Sequence, residues 1–211
     1  MTKFYAVCHH FLAVLIKIIF RVKVIGHENE PETGGHLVCS NHMSLWDPAM
    51  LGACLKKRQV RFMAKAEIFK IPLLGLFFKA LGAFPVKRGA GDVKAIKTTI
   101  ELAKSGECVG IFPQGTRCRG VDPRTTEVKG GTGMCAFRAK CDIVPVAIVN
   151  KKRKMSFFGK TIIVIGKPIK FDELGFTDGD KMEFENASRI IFDRICDLYE
   201  ECYSEYFEKK K

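Results

Sequence analysis

A chain of 211 residues, 47% hydrophobic and 27% charged, is long enough for one domain with a sizeable core, and this excludes a disordered chain. A formal net charge of +12 implies an anionic partner: a phosphate ester, anionic lipid, an acidic carrier protein or nucleic acid. The nine cysteines form no CxxC pair and no zinc spacing, and read as small buried thiols in a reducing cytoplasm, with no metal site.

Residues 1–21 begin the chain as an apolar helix. Lys3, Ala6, His10, Ala13, Lys17 and Arg21 fall on one narrow stripe, and most other positions are Phe, Leu, Ile or Val. The stretch is too short and interrupted for a bilayer span, which takes about 20 mostly apolar residues. A basic strand follows it where a signal peptide would have a small-residue cleavage site. It reads as an interfacial anchor lying in one leaflet or as a helix packed on the domain's own core, and the anchor fits better.

Residues 22–211 read as one domain. A short strand at 21–26 ends in Gly26, a polar loop covers 28–35, and a buried strand is expected at 36–41. A helix at 47–55 leads through the basic turn 56–58 to a strand at 59–64. The helix expected at 71–81 is again almost wholly apolar, with only Lys79 to face water. With the first helix it would form the kind of contiguous apolar surface that marks membrane contact. An extended piece at 82–89 precedes an amphipathic helix at 92–104, capped by Asp92, with Val93, Ile96, Ile100 and Ala103 on its inner face. Strands at 107–112, 142–150 and 161–165, a short helix at 133–140, a basic cluster at 151–154 and a long amphipathic helix at 180–211 complete the chain. This alternation predicts a single α/β domain, a mixed β-sheet flanked by helices, with an N-terminal apolar membrane-associating helix.

Polar residues gather in three loops that follow strands: 42–47, 82–88 and 112–117. Ligand sites in α/β sheets collect at strand ends, so these loops are expected to share a crevice. Asp47-Pro48 has the form of a helix start, and the tight turn before it folds His42 back towards Asp47. A carboxylate holding one imidazole nitrogen leaves the other free as a base; the competing reading is that Asp47 is only an N-cap and His42 only a hydrogen-bonded loop residue. Arg88 and Arg117 each offer a guanidinium able to hold phosphate bidentately, and Gly82 and Gly115 allow tight turns. No GxSxG elbow occurs, which disfavours a lipase or thioesterase, and the dispersed cations disfavour nucleic acid.

Asn41-His42-x4-Asp47-Pro48, Gly82-x-Phe84-x-x-x-Arg88, Phe112-Pro113-Gln114-Gly115-Thr116-Arg117 and Val144-Pro145-Val146 together resemble the four ordered blocks of the glycerolipid acyltransferase family, closest to its PlsC-type 1-acylglycerol-3-phosphate acyltransferases. The resemblance implies that His42 is a general base oriented by Asp47. It implies that a lysophospholipid hydroxyl attacks an acyl carrier protein or coenzyme A thioester directly, with no acyl-enzyme and no cofactor. By the same resemblance Arg88, Gln114, Gly115, Thr116 and Arg117 bind the acceptor, Pro145 edges the pocket, and Lys65 is a candidate donor to the oxyanion. The implied seat is the cytoplasmic face of the cell membrane, monotopic or peripheral, on an anionic surface. The third block of the family usually carries Glu where this chain has Gln114. Alternatives that remain are another lysophospholipid or glycerol-3-phosphate as acceptor, or a non-enzymatic basic membrane-binding protein.

Overall fold

The computed structural model describes residues 3–86 and 93–208. Its strands are β1 (Val22–Ile25), β2 (His36–Ser40), β3 (Val60–Lys65), β4 (Phe84–Val86), β5 (Cys108–Ile111), β6 (Asp142–Asn150) and β7 (Thr161–Ile165). They form one sheet in the order β1-β7-β6-β2-β5-β3-β4. β2 and β5 are buried along their whole length and β6 from Ile143 onward. Continuous runs of this kind suit central strands covered on both faces, whereas strands with one wet face alternate.

All pairings are parallel except β6 with β7. Strands β2 to β6 therefore point one way, and their C-terminal ends share a single edge of the sheet. The starts of β1 and β7 reach the same edge.

Six α-helices are described: α1 (Lys3–Ile19), α2 (Asp47–Cys54), α3 (Pro72–Ala80), α4 (Val93–Lys104), α5 (Gly131–Ala139) and α6 (Lys181–Phe207). The step from β2 to β3 through α2 and the return from β4 to β5 through α4 run in opposite directions across the sheet. Right-handed crossovers then put α2 and α4 on opposite faces. The packing agrees: α4, α5 and α6 lie against one another over β5 and β6, while α1 packs on α2.

One expected helix position changes, and α1 shows both an inward and an outward side. In α4 Ile96, Ile100 and Ala103 pack inward as expected, joined by buried Ala95 and Thr99, but Val93 is 76% exposed. Small residues let the helix come close: a Cβ on Gly35 would overlap the Ala103 carbonyl. In α1 Ile16 and the following Phe20 are buried and Ala13 packs on the core, while Phe11, Val14, Leu15 and Ile18 face outward. The exposed row recurs at i, i+3, i+4 and i+7, one continuous apolar face. Among the described residues no helix is long and apolar enough to cross a membrane.

Cysteines 39, 54, 108, 135, 141, 196 and 202 are buried and free, and Cys118 is half-buried. Burial pushes the Cys54, Cys108, Cys135, Cys141 and Cys196 thiols up to about 12, as expected of inert core thiols.

Candidate active site

The polypeptide leaves β2 at Ser40 and turns sharply before α2. Asn41 keeps this exit in register with the sheet: its amide donates to the Ile148 carbonyl at 2.9 Å and its oxygen accepts the Ile148 N–H at 2.8 Å. A side chain thus extends the β2–β6 ladder by one rung. The next residue, His42, points its Nδ1 at Asp47 Oδ2, 2.7 Å away.

Asp47 does not act as an N-cap. The cap position is Trp46, and Asp47 is the first residue of α2. Its Oδ2 accepts the backbone N–H groups of Met43 and Ser44, both at 2.7 Å, together with His42 Nδ1. One oxygen therefore closes the turn and orients the ring, while the buried Oδ1 has no hydrogen-bond partner. A carboxylate only accepts, so Nδ1 carries the proton and Nε2 is left with its lone pair. The Asp47 side chain is fully buried and that of His42 is 13% exposed, so the imidazole has one open side.

Three more contacts fix His42. Its ring stacks on Phe112 with centroids 4.0 Å apart and planes 17° from parallel. Its carbonyl accepts the Cys118 N–H at 2.8 Å. Its N–H donates to Gln114 Oε1 at 2.7 Å, and Gln114 Nε2 donates in turn to Thr126 Oγ1 at 2.7 Å. Gln114 is 3% exposed with both amide atoms engaged inside the protein. This geometry differs from the acceptor-binding place expected for it. Gln114 holds the backbone of His42.

Behind the ring the stack continues, since Phe112 lies 6.1 Å from Phe62. Phe62 in turn occupies the space over Gly110, where any Cβ would overlap its ring. The neighbouring Gly115 takes φ +65°, and a Cβ there would stand 3.1 Å from Lys129 Cδ. Glycine answers both demands.

Gly115, Thr116 and Arg117 are exposed on the loop after β5. Arg117 lines a groove of about 250 Å³ beside the His42 turn, with Arg119, Met43, Ser44, Trp46 and Phe157 among its walls. Two guanidinium groups over an apolar floor suit a ligand that joins an anionic head to a hydrocarbon chain. Lys65 ends β3 at the same edge of the sheet, half exposed, with Nζ 3.8 Å from Glu67 Oε2. Arg88, like Asp92, lies outside the described residues.

Pro145 lies elsewhere. It sits in the first half of β6 and lines a second groove with Gly166, Pro168, Arg194 and Leu198, towards the opposite edge. Its carbonyl accepts the Gly166 N–H at 2.8 Å. Between that pair and the Ile143–Ile169 bridge the register shifts by one residue, which makes a bulge. A proline inside a central strand is tolerated there because the missing N–H falls where the ladder is already broken.

Sequence reasoning missed the supports: Thr126, the Phe112 stack and the bonding role of Asn41. Asn41 carried a local signal, standing just past a buried strand. Thr126 carried none, because its partner arrives from a different loop.

The acyltransferase family profile matches residues 21–149. The 1-acyl-sn-glycerol-3-phosphate acyltransferase of Bacillus subtilis (strain 168) is 35% identical over 167 residues, covering 78% of this chain and 82% of that one. The protein of the same name from Streptococcus pneumoniae (strain ATCC BAA-255 / R6) is 35% identical over 164 residues, with 76% and 60% covered. Among solved structures, the 1-acyl-sn-glycerophosphate acyltransferase PlsC of Thermotoga maritima superposes with a TM-score of 0.69 at 21% identity, covering 99% of this chain and 86% of that one. That likeness is one of fold.

Proposed function

This chain belongs to the acyltransferase family, and on that premise we propose that it moves a fatty acyl group from an acyl thioester to the sn-2 hydroxyl of 1-acyl-sn-glycerol-3-phosphate, giving phosphatidic acid for phospholipid synthesis. The observation that carries this reading is the His42–Asp47 pair, 2.7 Å apart, beside a groove that joins apolar walls to two arginines.

His42 Nε2 takes the proton of the acceptor hydroxyl as its oxygen attacks the thioester carbonyl. The tetrahedral intermediate collapses to the ester and expels the thiolate, which takes the proton back from His42. Asp47 holds the ring throughout and steadies the imidazolium that forms between the two transfers. No acyl-enzyme is made. The thioester of acyl carrier protein or coenzyme A is a substrate, and the reaction as written calls for no cofactor.

Arg117 and Arg88 hold the acceptor phosphate, with Gly115 and Thr116 offering backbone and hydroxyl donors beside them. The half-exposed Lys65, only 3.8 Å from its acidic neighbour, is the side chain we assign to the oxyanion. The acceptor is a membrane lipid, and this reading seats the protein at the cytoplasmic face of the cell membrane, monotopic or peripheral. Support comes from the outward apolar row of α1 and from Leu73 and Leu76 on α3, 85% and 69% exposed.

An acceptor and donor panel with the product identified by mass tests the assignment. Phosphatidate from 1-acylglycerol-3-phosphate is expected, with either carrier's thioester resolving the donor. Acylation of glycerol-3-phosphate or of another lysophospholipid in preference to it would replace the acceptor named here.

A further inference from the structure

The connection from β6 to β7 is an unusual loop. Residues Lys151, Lys152, Arg153 and Lys154 are followed by Phe157, Phe158 and Lys160. Two of these cations serve the fold: Arg153 pairs with Asp122 at 2.6 Å and lies over the Tyr203 ring, and Lys160 lies over Tyr206. The other three, Lys151, Lys152 and Lys154, are exposed and have no acidic partner among the described residues.

Phe157 and Phe158 are 64% and 69% exposed. The loop nevertheless has a defined shape. The Phe158 N–H donates to the Ile19 carbonyl at the end of α1, 2.6 Å away. Phe157 stacks on Phe20 at 5.6 Å and lies 6.5 Å from Trp46. Phe158 takes φ +60° and Arg153 φ +51°, left-handed conformations that cost a non-glycine residue energy. Backbone strain and anchoring together hold two adjacent aromatic rings out of the core. They continue an apolar surface that runs through Ile18, Leu45 and Trp46, at 64%, 70% and 43% exposure. That surface meets the groove beside His42, whose walls include both Trp46 and Phe157.

Aromatic rings flanked by unpaired lysines match the boundary between acyl chains and anionic headgroups. We propose that residues 151–160 form a bilayer-docking loop: Phe158 enters the interface, Lys151, Lys152 and Lys154 hold anionic lipid headgroups, and the groove mouth is thereby pressed to the membrane. This rests on the membrane-resident acceptor proposed above. It adds a docking element far in sequence from α1 and α3, tied to the catalytic turn through Trp46.

The test uses the full chain and phosphatidylcholine vesicles with and without phosphatidylglycerol. Trp46 is the single tryptophan, so a Trp46→Phe/Phe158→Trp variant carries one indole on the loop. Acyl-chain-brominated lipid is expected to quench that indole in the vesicle-bound protein. Replacing Lys151, Lys152 and Lys154 together by Ala should lower partition to anionic vesicles by roughly fivefold per lysine, about a hundredfold in all, and leave partition to neutral vesicles unchanged. Turnover on micellar short-chain lysophosphatidate should match the parent. Absent quenching, unchanged partition of the triple variant, or a loss confined to turnover with acyl carrier protein thioesters would overturn the docking loop. A parent inactive on micellar acceptor would instead count against the acceptor assignment, and the quenching would still decide the loop.

Discussion

His42 is held through four different groups: Asp47 on Nδ1, Phe112 under the ring, Gln114 on its N–H and Cys118 on its carbonyl. Only the Nε2 side is open to chemistry. Gln114→Leu would leave the part-buried His42 N–H without its side-chain partner, a loss of about 1 kcal/mol or more. If that displaces the base, kcat should fall roughly tenfold to a hundredfold with the acceptor KM little changed. A raised acceptor KM at constant kcat would instead show that Gln114 contacts substrate. Gln114→Glu keeps an acceptor for His42 and offers a second to the Thr126 hydroxyl, which now donates to Pro123. Its activity should stay near that of the parent; a dead parent revived by Glu would mean the charge itself is needed. The histidine–aspartate pair was legible in the sequence because both partners lie within one turn. The Gln114 support was not, since 72 residues separate it from His42 and only the β2–β5 pairing brings them together.

The elements follow from the sequence closely where a run is uniformly apolar or cleanly periodic. β7 spans 161–165 as expected, and β2, β5 and β6 differ from expectation by no more than a residue at either end. The expected inner face of α4 holds at Ile96, Ile100 and Ala103 and fails at Val93, because an exposed Val93 and a buried Thr99 are choices made by neighbouring helices and invisible to periodicity. Asp47 looked like a cap by residue type, yet the turn it closes lies before α2, where its carboxylate satisfies two N–H groups and the imidazole together. At the start of α6, Glu183 accepts the Thr177 hydroxyl and the N–H groups of Thr177 and Gly179. The Thr177 hydroxyl above all, with the backbone donors, pulls its carboxyl down to about 2. A depressed carboxyl contributes stability above its unfolded value, near 4.3, and loses it as pH falls towards 2. Glu183→Gln should therefore flatten the acid limb of the stability profile between about pH 4.5 and 2. Denaturant midpoints measured across that window check it, and an unchanged slope would count against the carboxylate's role.

On the scale of the whole molecule, the sheet collects the His42 turn, the Arg117 loop, Lys65 and the 151–160 loop at one edge, beside the outward apolar faces of α1 and α3. The excess of positive charge was legible from composition, and so was the greasy N-terminus. Which side of α1 stays exposed was not, because Ala13 and Ile16 are sorted inward only by packing on α2 and the core. Deleting residues 1–21 should weaken sedimentation with liposomes and activity on bilayer substrate; a truncated protein that sediments fully would remove α1 as an anchor. The central claim is direct acyl transfer to a bound acceptor with His42 as base, and thiol release from an acyl thioester measures it. Release is expected only when lysophosphatidate is also present, and His42→Ala should abolish it while liposome binding persists. Thiol release without acceptor, or sustained turnover by His42→Ala, would contradict the account.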